Sequence, residues 1–388
     1  MSIRAPHPFP ARMAPELALR ALERSPSGSK VLDPMCGSGT VLRTALMSGH
    51  DAIGVDMDPL AVLMATVWSR SDSCPGLGKA AEELLSQARD LRPDEVTLPW
   101  IDEDKETSDF IDFWFAEPQR QELRRLAYLL HGDSGVMADA LRLALSRIII
   151  TKDRGASLAR DVSHSRPHRV GLTNDYSVAE GFQKSAVQIE RRLAVGVPVS
   201  ASVSLGDARR LSNISDGSVD LVITSPPYLN AIDYLRGHRL ALVWLGYKIG
   251  DLRQVRGSSV GAEKVLTERS PDLQALVIDT DVESLATRMQ GVLYRYARDM
   301  LGVAGELKRV LKHDAPAVLV VGNSTVRGTF VDNAAVVRRA AETVGFVTEN
   351  VSEREIPTNR RYLPPPSASD AALDKRMRKE VILTLRKG

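Results

Sequence analysis

A chain of 388 residues with 43% hydrophobic and 26% charged residues is long enough for two or three domains, or for one domain with large insertions, and has ample material for a packed core. Its formal net charge of +2 excludes neither class of partner, because nucleic-acid binding needs only a local basic face. Two cysteines, Cys36 and Cys74, make neither a disulfide framework nor a zinc cluster, so no metal is expected and a reducing cytoplasm is; no signal peptide, membrane-length apolar run or fixed-period repeat is evident.

The first stretch, His7-Pro8-Phe9-Pro10-Ala11-Arg12-Met13-Ala14, is kept extended by its prolines. Pro15 suits the first turn of a helix whose apolar surface comes from Leu17, Leu19, Ala21 and Leu22. Lys30-Val31-Leu32-Asp33-Pro34-Met35-Cys36-Gly37-Ser38-Gly39-Thr40 then reads as strand, tight glycine turn and helix start, with the helix running on through Val41 to Met47. Glycines let the backbone approach a ligand, and a helix N-terminus offers free N–H groups. Asp51-Ala52-Ile53-Gly54-Val55-Asp56-Met57-Asp58-Pro59 reads as a second strand ending in acid, placed to accept from ribose hydroxyls. The spacing is too short for a G-x-G-x-x-G dinucleotide fingerprint, and no Lys-Ser/Thr follows the glycines to make a P-loop.

From about Ser71 to Ser200 the pattern turns mainly helical. Helices are expected over Ala80 to Leu91, Pro118 to Leu130, Asp139 to Ile150 and Phe182 to Leu193, with an aromatic-rich run at Phe110 to Phe115. Between them lies Lys152 to Val170, in which Lys152, Arg154, Arg160, His164, Arg166, His168 and Arg169 outnumber Asp153 and Asp161. Such a segment suits backbone phosphates, and it equally reads as a solvated loop with internal salt bridges.

Val203-Ser204-Leu205-Gly206-Asp207-Ala208-Arg209 is a third short strand ending in acid, able to accept from an adenine amino group. Soon after, the apolar run Val219-Asp220-Leu221-Val222-Ile223 leads into Thr224-Ser225-Pro226-Pro227-Tyr228. Two prolines cannot continue a ladder, so the strand ends there with a hydroxyl, two restrained carbonyls and an aromatic ring at its C-terminal edge. That edge is where open α/β sheets hold ligands. Beyond it, a helix is expected over Tyr234 to Leu245, with Arg236, His238 and Arg239 available for contacts. A polar, mobile loop is expected over Asp251 to Asp272, and a long helix over Val282 to Leu311. A strand at Ala315 to Val321, a helix at Asp332 to Val344 and strands at Phe346 to Val351 and Glu380 to Leu385 complete the core. Asn359-Arg360-Arg361-Tyr362 stands in the irregular segment between the last two strands.

Asp-Pro-x-x-Gly-x-Gly-Thr at 33–40 with Gly-x-Asp-x-Asp-Pro at 54–59 resembles the first two motifs of S-adenosylmethionine (SAM)-dependent amino-methyltransferases. Together with His7-Pro8-Phe9-Pro10, Asp207 and Ser225-Pro226-Pro227-Tyr228, the chain resembles the DNA amino-methyltransferases that act on N4 of cytosine or N6 of adenine. The Ser-Pro-Pro-Tyr form is more similar to the cytosine-N4 enzymes. The glycine loop precedes this motif, unlike the permuted class. The resemblance covers the catalytic core and not the large insertion. It implies a Rossmann-like SAM-dependent methyltransferase fold, α/β, with a mostly parallel seven-stranded sheet flanked by helices and a mainly helical insertion.

Residues 1–70 are then expected to form the first part of the core and 201–388 the second part, with a loop and helix insertion at about 248–283, and the mainly helical insertion 71–200 is the candidate for DNA and target recognition. SAM would lie against His7, Phe9, Pro10, Asp33, Pro34, Cys36, Gly37, Ser38, Gly39, Thr40, Asp56, Met57, Asp207, Ala208 and Thr224. DNA would be gripped by Lys152, Arg154, Arg160, Arg166, Arg169, Arg236, Arg239, Arg360 and Arg361. The resemblance also allows a cognate restriction endonuclease and use at a bacterial or archaeal nucleoid.

The chemistry fits these residue types. An exocyclic amine is a poor nucleophile because its lone pair is delocalised into the ring. Acceptors on both amine hydrogens favour a pyramidal nitrogen and stabilise its developing charge. Ser225 Oγ and the Pro226 carbonyl are the candidate acceptors, Pro227 fixes the geometry, and Tyr228 can stack on a base flipped from the duplex. C5-methylation needs a cysteine nucleophile, which this motif lacks. RNA or tRNA base methylation, and a non-catalytic SAM- and nucleic-acid-binding module, are the alternatives.

Overall fold

A computed structural model describes residues 5–8, 13–151, 154–160, 167–229, 233–326, 329–356 and 379–388. In chain order they form α1 (Pro15–Leu22), β1 (Lys30–Asp33), α2 (Thr40–Met47), β2 (Asp51–Asp56), α3 (Pro59–Trp68), α4 (Leu77–Asp90), α5 (Pro99–Asp102) and α6 (Lys105–Trp114). Next come α7 (Glu117–His131), α8 (Val136–Ile149), β3 (Ala159–Arg160), β4 (His168–Arg169), α9 (Val178–Leu193), β5 (Ser202–Leu205), β6 (Leu221–Thr224), α10 (Tyr234–Leu242) and α11 (Ile249–Ser258). The last are α12 (Pro271–Leu276), α13 (Thr287–Val310), β7 (Pro316–Gly322), β8 (Ser324–Val326), β9 (Thr329–Val331), α14 (Asn333–Thr343), β10 (Phe346–Glu355) and β11 (Lys379–Lys387). The chain divides into two compact units: a helical one drawn from Met1–Pro10, Asp58–Ser200 and Asp233–Arg256, and a sheet unit drawn from Ala11–Met57, Ala201–Ile232 and Gly257–Gly388.

The sheet unit holds a seven-stranded sheet among the described residues, in the order β10-β11-β7-β6-β1-β2-β5. β1, β2, β5, β6 and β7 run parallel, and β11 is reversed between β7 and β10. The central strands are apolar on both faces, as parallel strands buried on both sides must be. Val31, Leu32, Val222 and Ile223 are fully buried, each contributing about 1.5–3 kcal/mol by burial. α2 packs on β1 and β2, and α14 on β7, β10 and β11. From β1 the chain steps outward to β2 and β5, then restarts at β6 on the other side of β1. The order therefore reverses between β1 and β6, and the crevice at their carboxyl ends is the place where such sheets bind ligands. This is the expected α/β Rossmann-like architecture.

The helical unit is built from α3 to α10 and from α11 as far as Arg256, with a core of its own, in which Trp68, Phe115, Phe182 and Trp244 are among the largest buried side chains. Phe115 meets Trp244 edge-on with ring centroids 5.1 Å apart, and Trp100 Nε1 donates to the Val243 carbonyl at 2.8 Å. Asp58 caps α3 by accepting from the Leu60 N–H, with Pro59 in the first turn.

Two expectations need correction. The polar stretch over Asp251 to Asp272 is not one loop: its two ends are helical, in α11 and α12. Ile249 and Leu252 are buried on α11, and Leu273 and Leu276 on α12, so a few apolar anchors at helical spacing outweigh the polar majority. Ser270 caps α12 through the Leu273 N–H. The basic stretch Lys152 to Val170 contains a short hairpin, with β3 and β4 pairing Ala159 to Arg169 and Arg160 to His168. No helix among the described residues is long and apolar enough to cross a membrane.

Candidate active site

The carboxyl ends of β1, β2, β5 and β6 bring the chemistry-bearing residues to one sheet edge. At the end of β1, Asp33 is 3% exposed. Its Oδ1 accepts from the Thr224 hydroxyl at 2.7 Å and from the Met35 N–H at 3.2 Å, which ties the β1 and β6 ends together. Burial pushes the Asp33 carboxyl up to about 7; the Thr224 and Met35 hydrogen bonds oppose the rise and the Asp56 charge adds to it.

The turn that follows depends on glycine. Gly37 has φ 49° and Gly39 φ 83°, the left-handed region that glycine enters without strain. The Gly37 N–H donates to Asp56 Oδ2 at 2.8 Å, so the acid ending β2 is bound directly to the glycine turn. Gly54 is needed for packing instead: a Cβ there would stand 2.5 Å from Leu42 Cδ1 and 3.1 Å from Cys36 Sγ. Cys36 is buried beneath the turn, its thiol pushed up by burial first and then by Asp56 and Asp33. It is a packing group, not a thiolate. The Cys74 thiol, in the helical unit, is also raised by burial.

Two hydroxyl oxygens test whether the turn fits a cofactor. Ser38 Oγ and Thr40 Oγ1 are buried and have no hydrogen-bond partner among the described residues. They flank the start of α2, where backbone N–H groups are also unsatisfied by the helix itself. A buried orphan hydroxyl costs about 1–3 kcal/mol, so this donor set fits a polar ligand lying on the turn. Asp56, Met57 and Asp207 are only partly buried, whereas Pro34 and Ala208 are packed. Asp207 is engaged by Arg209, whose Nη2 and Nε lie 2.6 and 3.0 Å from its carboxylate oxygens. These bonds more than offset partial burial and hold its carboxyl below the usual range.

At the end of β6, Pro226 is buried and Ser225, Pro227 and Tyr228 are partly exposed. Ser225 Oγ donates to the Val320 carbonyl on β7 at 2.9 Å. Its one proton is thereby committed, and its lone pairs are left to accept. Leu229, just past the motif, has its carbonyl held by Ser324 Oγ at 2.6 Å, and Asn333 Nδ2 donates to that same oxygen at 2.8 Å. Tyr228 is pushed up to about 12 by burial, with the Glu380 charge adding and Ser225 and Arg354 opposing, so its phenol stays protonated. Tyr296 on α13 is fully buried and raised by burial and by Tyr228.

The structure thus groups Asp33, Pro34, Cys36, Gly37, Ser38, Gly39, Thr40, Asp56, Met57, Asp207, Ala208, Thr224, Ser225, Pro226, Pro227 and Tyr228 in the sheet unit, around four strand ends. His7, 7% exposed, belongs to the helical unit. So do Arg154, paired with Asp175 at 2.6 Å, and Arg169, which lies over the Phe113 ring at 4.8 Å. Arg160 is on the hairpin, Arg236 lies 3.5 Å from Asp233, and Arg239 lies 5.1 Å over the Phe110 ring. Phe9, Pro10, Lys152, Arg166, Arg360 and Arg361 lie outside the described residues. Sequence reading misses Arg209, Arg295, Tyr296 and Asp299, which surround the site. The i,i+4 pairing of Arg295 with Asp299 on an otherwise apolar helix face was the available signal.

No family model matches the chain. The type II methyltransferase M.MvaI of Kocuria varians is 25% identical over 358 residues, covering 83% of this chain and 77% of that protein. The type II methyltransferase M.BsoBI of Geobacillus stearothermophilus is 22% identical over 389 residues, covering 82% and 73%. This chain is similar to type II methyltransferases over most of its length. A shorter match, 29% over 152 residues, links 34% of the chain to 32% of the type II methyltransferase M.AvaI of a Nostoc species. Among solved structures, a SAM-dependent methyltransferase from Methanosarcina mazei aligns with TM-score 0.35 and 10% identity over 94% of this chain and 95% of that one. The α/β sheet of this chain has a Rossmann-like order, with five parallel strands and β11 reversed.

Proposed function

We propose that the protein methylates the exocyclic N4 amine of cytosine in DNA at a specific site, with SAM as methyl donor. The observation that carries this reading is the hydrogen bond from Ser225 Oγ to the Val320 carbonyl. It turns the serine into an acceptor at a proline-stiffened strand end, which is what an amine nucleophile requires. The absence of a reactive thiolate supports the same choice, since both cysteines of the chain are raised by burial.

Bound SAM supplies an electrophilic methyl on a sulfonium. The Gly37 turn, Ser38 and Thr40 would hold its polar end, Asp56 its ribose hydroxyls, and Asp207 its adenine amino group. Ser225 Oγ and the Pro226 carbonyl accept from the two amine hydrogens, so the nitrogen lone pair turns toward the methyl carbon. The sulfonium methyl would be the electrophile that such a lone pair meets, its C–S electron pair would stay with sulfur, and the amine's surplus proton would pass to water. Tyr228, protonated and partly exposed, offers a ring face to a flipped base, which offsets part of the few kcal/mol that unstacking costs.

The relatives' type II designation supports a site-specific DNA substrate and a restriction partner. The deciding experiment gives the purified protein methyl-labelled SAM with duplex DNA and with RNA, followed by nucleoside analysis. N4-methylcytosine in DNA is expected. N6-methyladenine would move the reading to adenine, label in RNA alone would move it to RNA, and no transfer to any nucleic acid would end it.

A further inference from the structure

α13 carries two charged side chains that the motif set does not explain. Asp299 is 3% exposed and Arg295 is 6% exposed. Charges so deeply placed persist only when paired and hydrogen-bonded. Here the pairing runs in one direction through the sheet unit. The Arg209 guanidinium grips the Asp207 carboxylate through Nε and Nη2, and its Nη1 donates to Asp299 Oδ1 at 2.7 Å. Arg295 Nε lies 3.5 Å from Asp299 Oδ2. Both arginines then reach the C-terminal end of α11: Arg209 Nη2 donates to the Ser258 carbonyl at 2.6 Å and Arg295 Nη2 to the Gly257 carbonyl at 3.0 Å.

The pinned backbone leads straight to the catalytic motif. Gly261 has φ 76°, and a Cβ on it would stand 3.3 Å from the Tyr228 carbonyl oxygen and 3.5 Å from Pro227 Cβ. Gly261, three residues beyond Ser258, therefore lies against the Pro227-Tyr228 turn, and Arg209 holds the Ser258 carbonyl and Asp207 with one planar group. Nη2 itself donates both to Asp207 Oδ2 and to the Ser258 carbonyl, each at 2.6 Å, so a shift of the Asp207 carboxylate reaches Ser258 through one rigid planar group.

We infer that Arg209 is a positioning residue that couples the cofactor acid Asp207 to the 257–261 segment, whose Gly261 lies against Pro227-Tyr228, so that loading the cofactor site sets the amine site. This rests on the proposed use of SAM. A ligand donating to Asp207 fixes its carboxylate, the carboxylate fixes the guanidinium, and the guanidinium fixes Ser258. Lysine keeps the charge but not the fork, because an ammonium is a point donor. Arg209→Lys is thus the informative variant, and Arg209→Gln, which leaves Asp299 short of a cation, is the harsher one.

The test follows amide hydrogen exchange of residues 257–262 in the full chain, with and without SAM, beside calorimetric SAM affinity, thermal midpoint and single-turnover methyl transfer. In the native protein, SAM should increase protection of 257–262. In Arg209→Lys, the thermal midpoint should stay near native and SAM affinity should fall by no more than about threefold. The SAM-induced protection should vanish and transfer should slow by about tenfold, or about 1.4 kcal/mol. A merely structural role would lower midpoint and affinity together and leave the SAM-induced protection in place, and that result overturns the inference. So does a native protein that binds SAM without any change at 257–262. A native protein that binds no SAM fails at the earlier step and removes the proposed function as well.

Discussion

At the scale of single residues, Ser225 owes its assigned role to a partner 95 positions away. Its proton is spent on the Val320 carbonyl, which leaves an oxygen that can only accept at the edge where a base would present its amine. Removing the hydroxyl in Ser225→Ala deletes that acceptor and leaves the Val320 carbonyl short of one donor. The fold should lose about 1 kcal/mol. Turnover should fall by roughly 10²–10³-fold, as expected when one preorganised hydrogen-bonding group is removed from a reacting centre. SAM affinity should be unchanged, because no cofactor role is given to this side chain. Calorimetry beside steady-state kinetics checks this, and equal losses in both would remove Ser225 from the amine site. The serine itself was legible in the sequence, through the proline pair that follows it. Val320 was not, because a register between β6 and β7 decides which carbonyl meets the hydroxyl, and nothing local encodes it. Arg209 was hidden for the same reason: beside Gly206-Asp207-Ala208 it reads as an ordinary surface arginine until α13 supplies Asp299.

At the scale of elements, the ends of β1 and β6 are joined by the Thr224 hydroxyl on Asp33, and this joint carries a pH dependence. The folded Asp33 carboxyl titrates near 7, well above the 3.8 of an unperturbed group. Between these values the folded state holds a proton that the unfolded chain has lost, so stability falls as pH rises from about 4 to about 7 and levels off above. The shift corresponds to about 4 kcal/mol at most. Asp33→Asn keeps an oxygen for Thr224 and removes the titration. Its urea denaturation midpoint, followed from pH 5 to pH 8, should decline less than that of the native protein. Parallel curves would show that Asp33 is not the group responsible. Elements were read most securely where burial is two-sided or strongly periodic. The core strands and the long α13 are of that kind, although its first turns separate as Val282–Ser284, a short 3-10 turn. α11 and α12 escaped because each hides only a few apolar residues within a polar run, and composition outvotes spacing when the window is short.

At the scale of the whole molecule, a net charge of +2 is too small to draw the chain to DNA by itself, so the DNA affinity that the proposed reaction needs would come from local arrangements of cations. The described part of the basic segment offers unequal ones. Arg154 is neutralised by Asp175, while Arg160 and Arg169 stand on the hairpin, with Arg169 braced on Phe113 and by a bond from its Nε to the Gly171 carbonyl at 3.1 Å. A braced arginine loses less side-chain entropy when it meets a phosphate. Reversing both hairpin charges, Arg160→Glu with Arg169→Glu, should weaken binding to duplexes of any sequence and reduce the slope of log affinity against log salt by about two. Arg154→Ala should change that slope less, since its charge is already matched. Fluorescence anisotropy across a salt series, on a duplex lacking the target site, isolates this term from base reading. An unchanged slope in the double variant would make the hairpin a solvated surface and move the phosphate grip elsewhere in the chain.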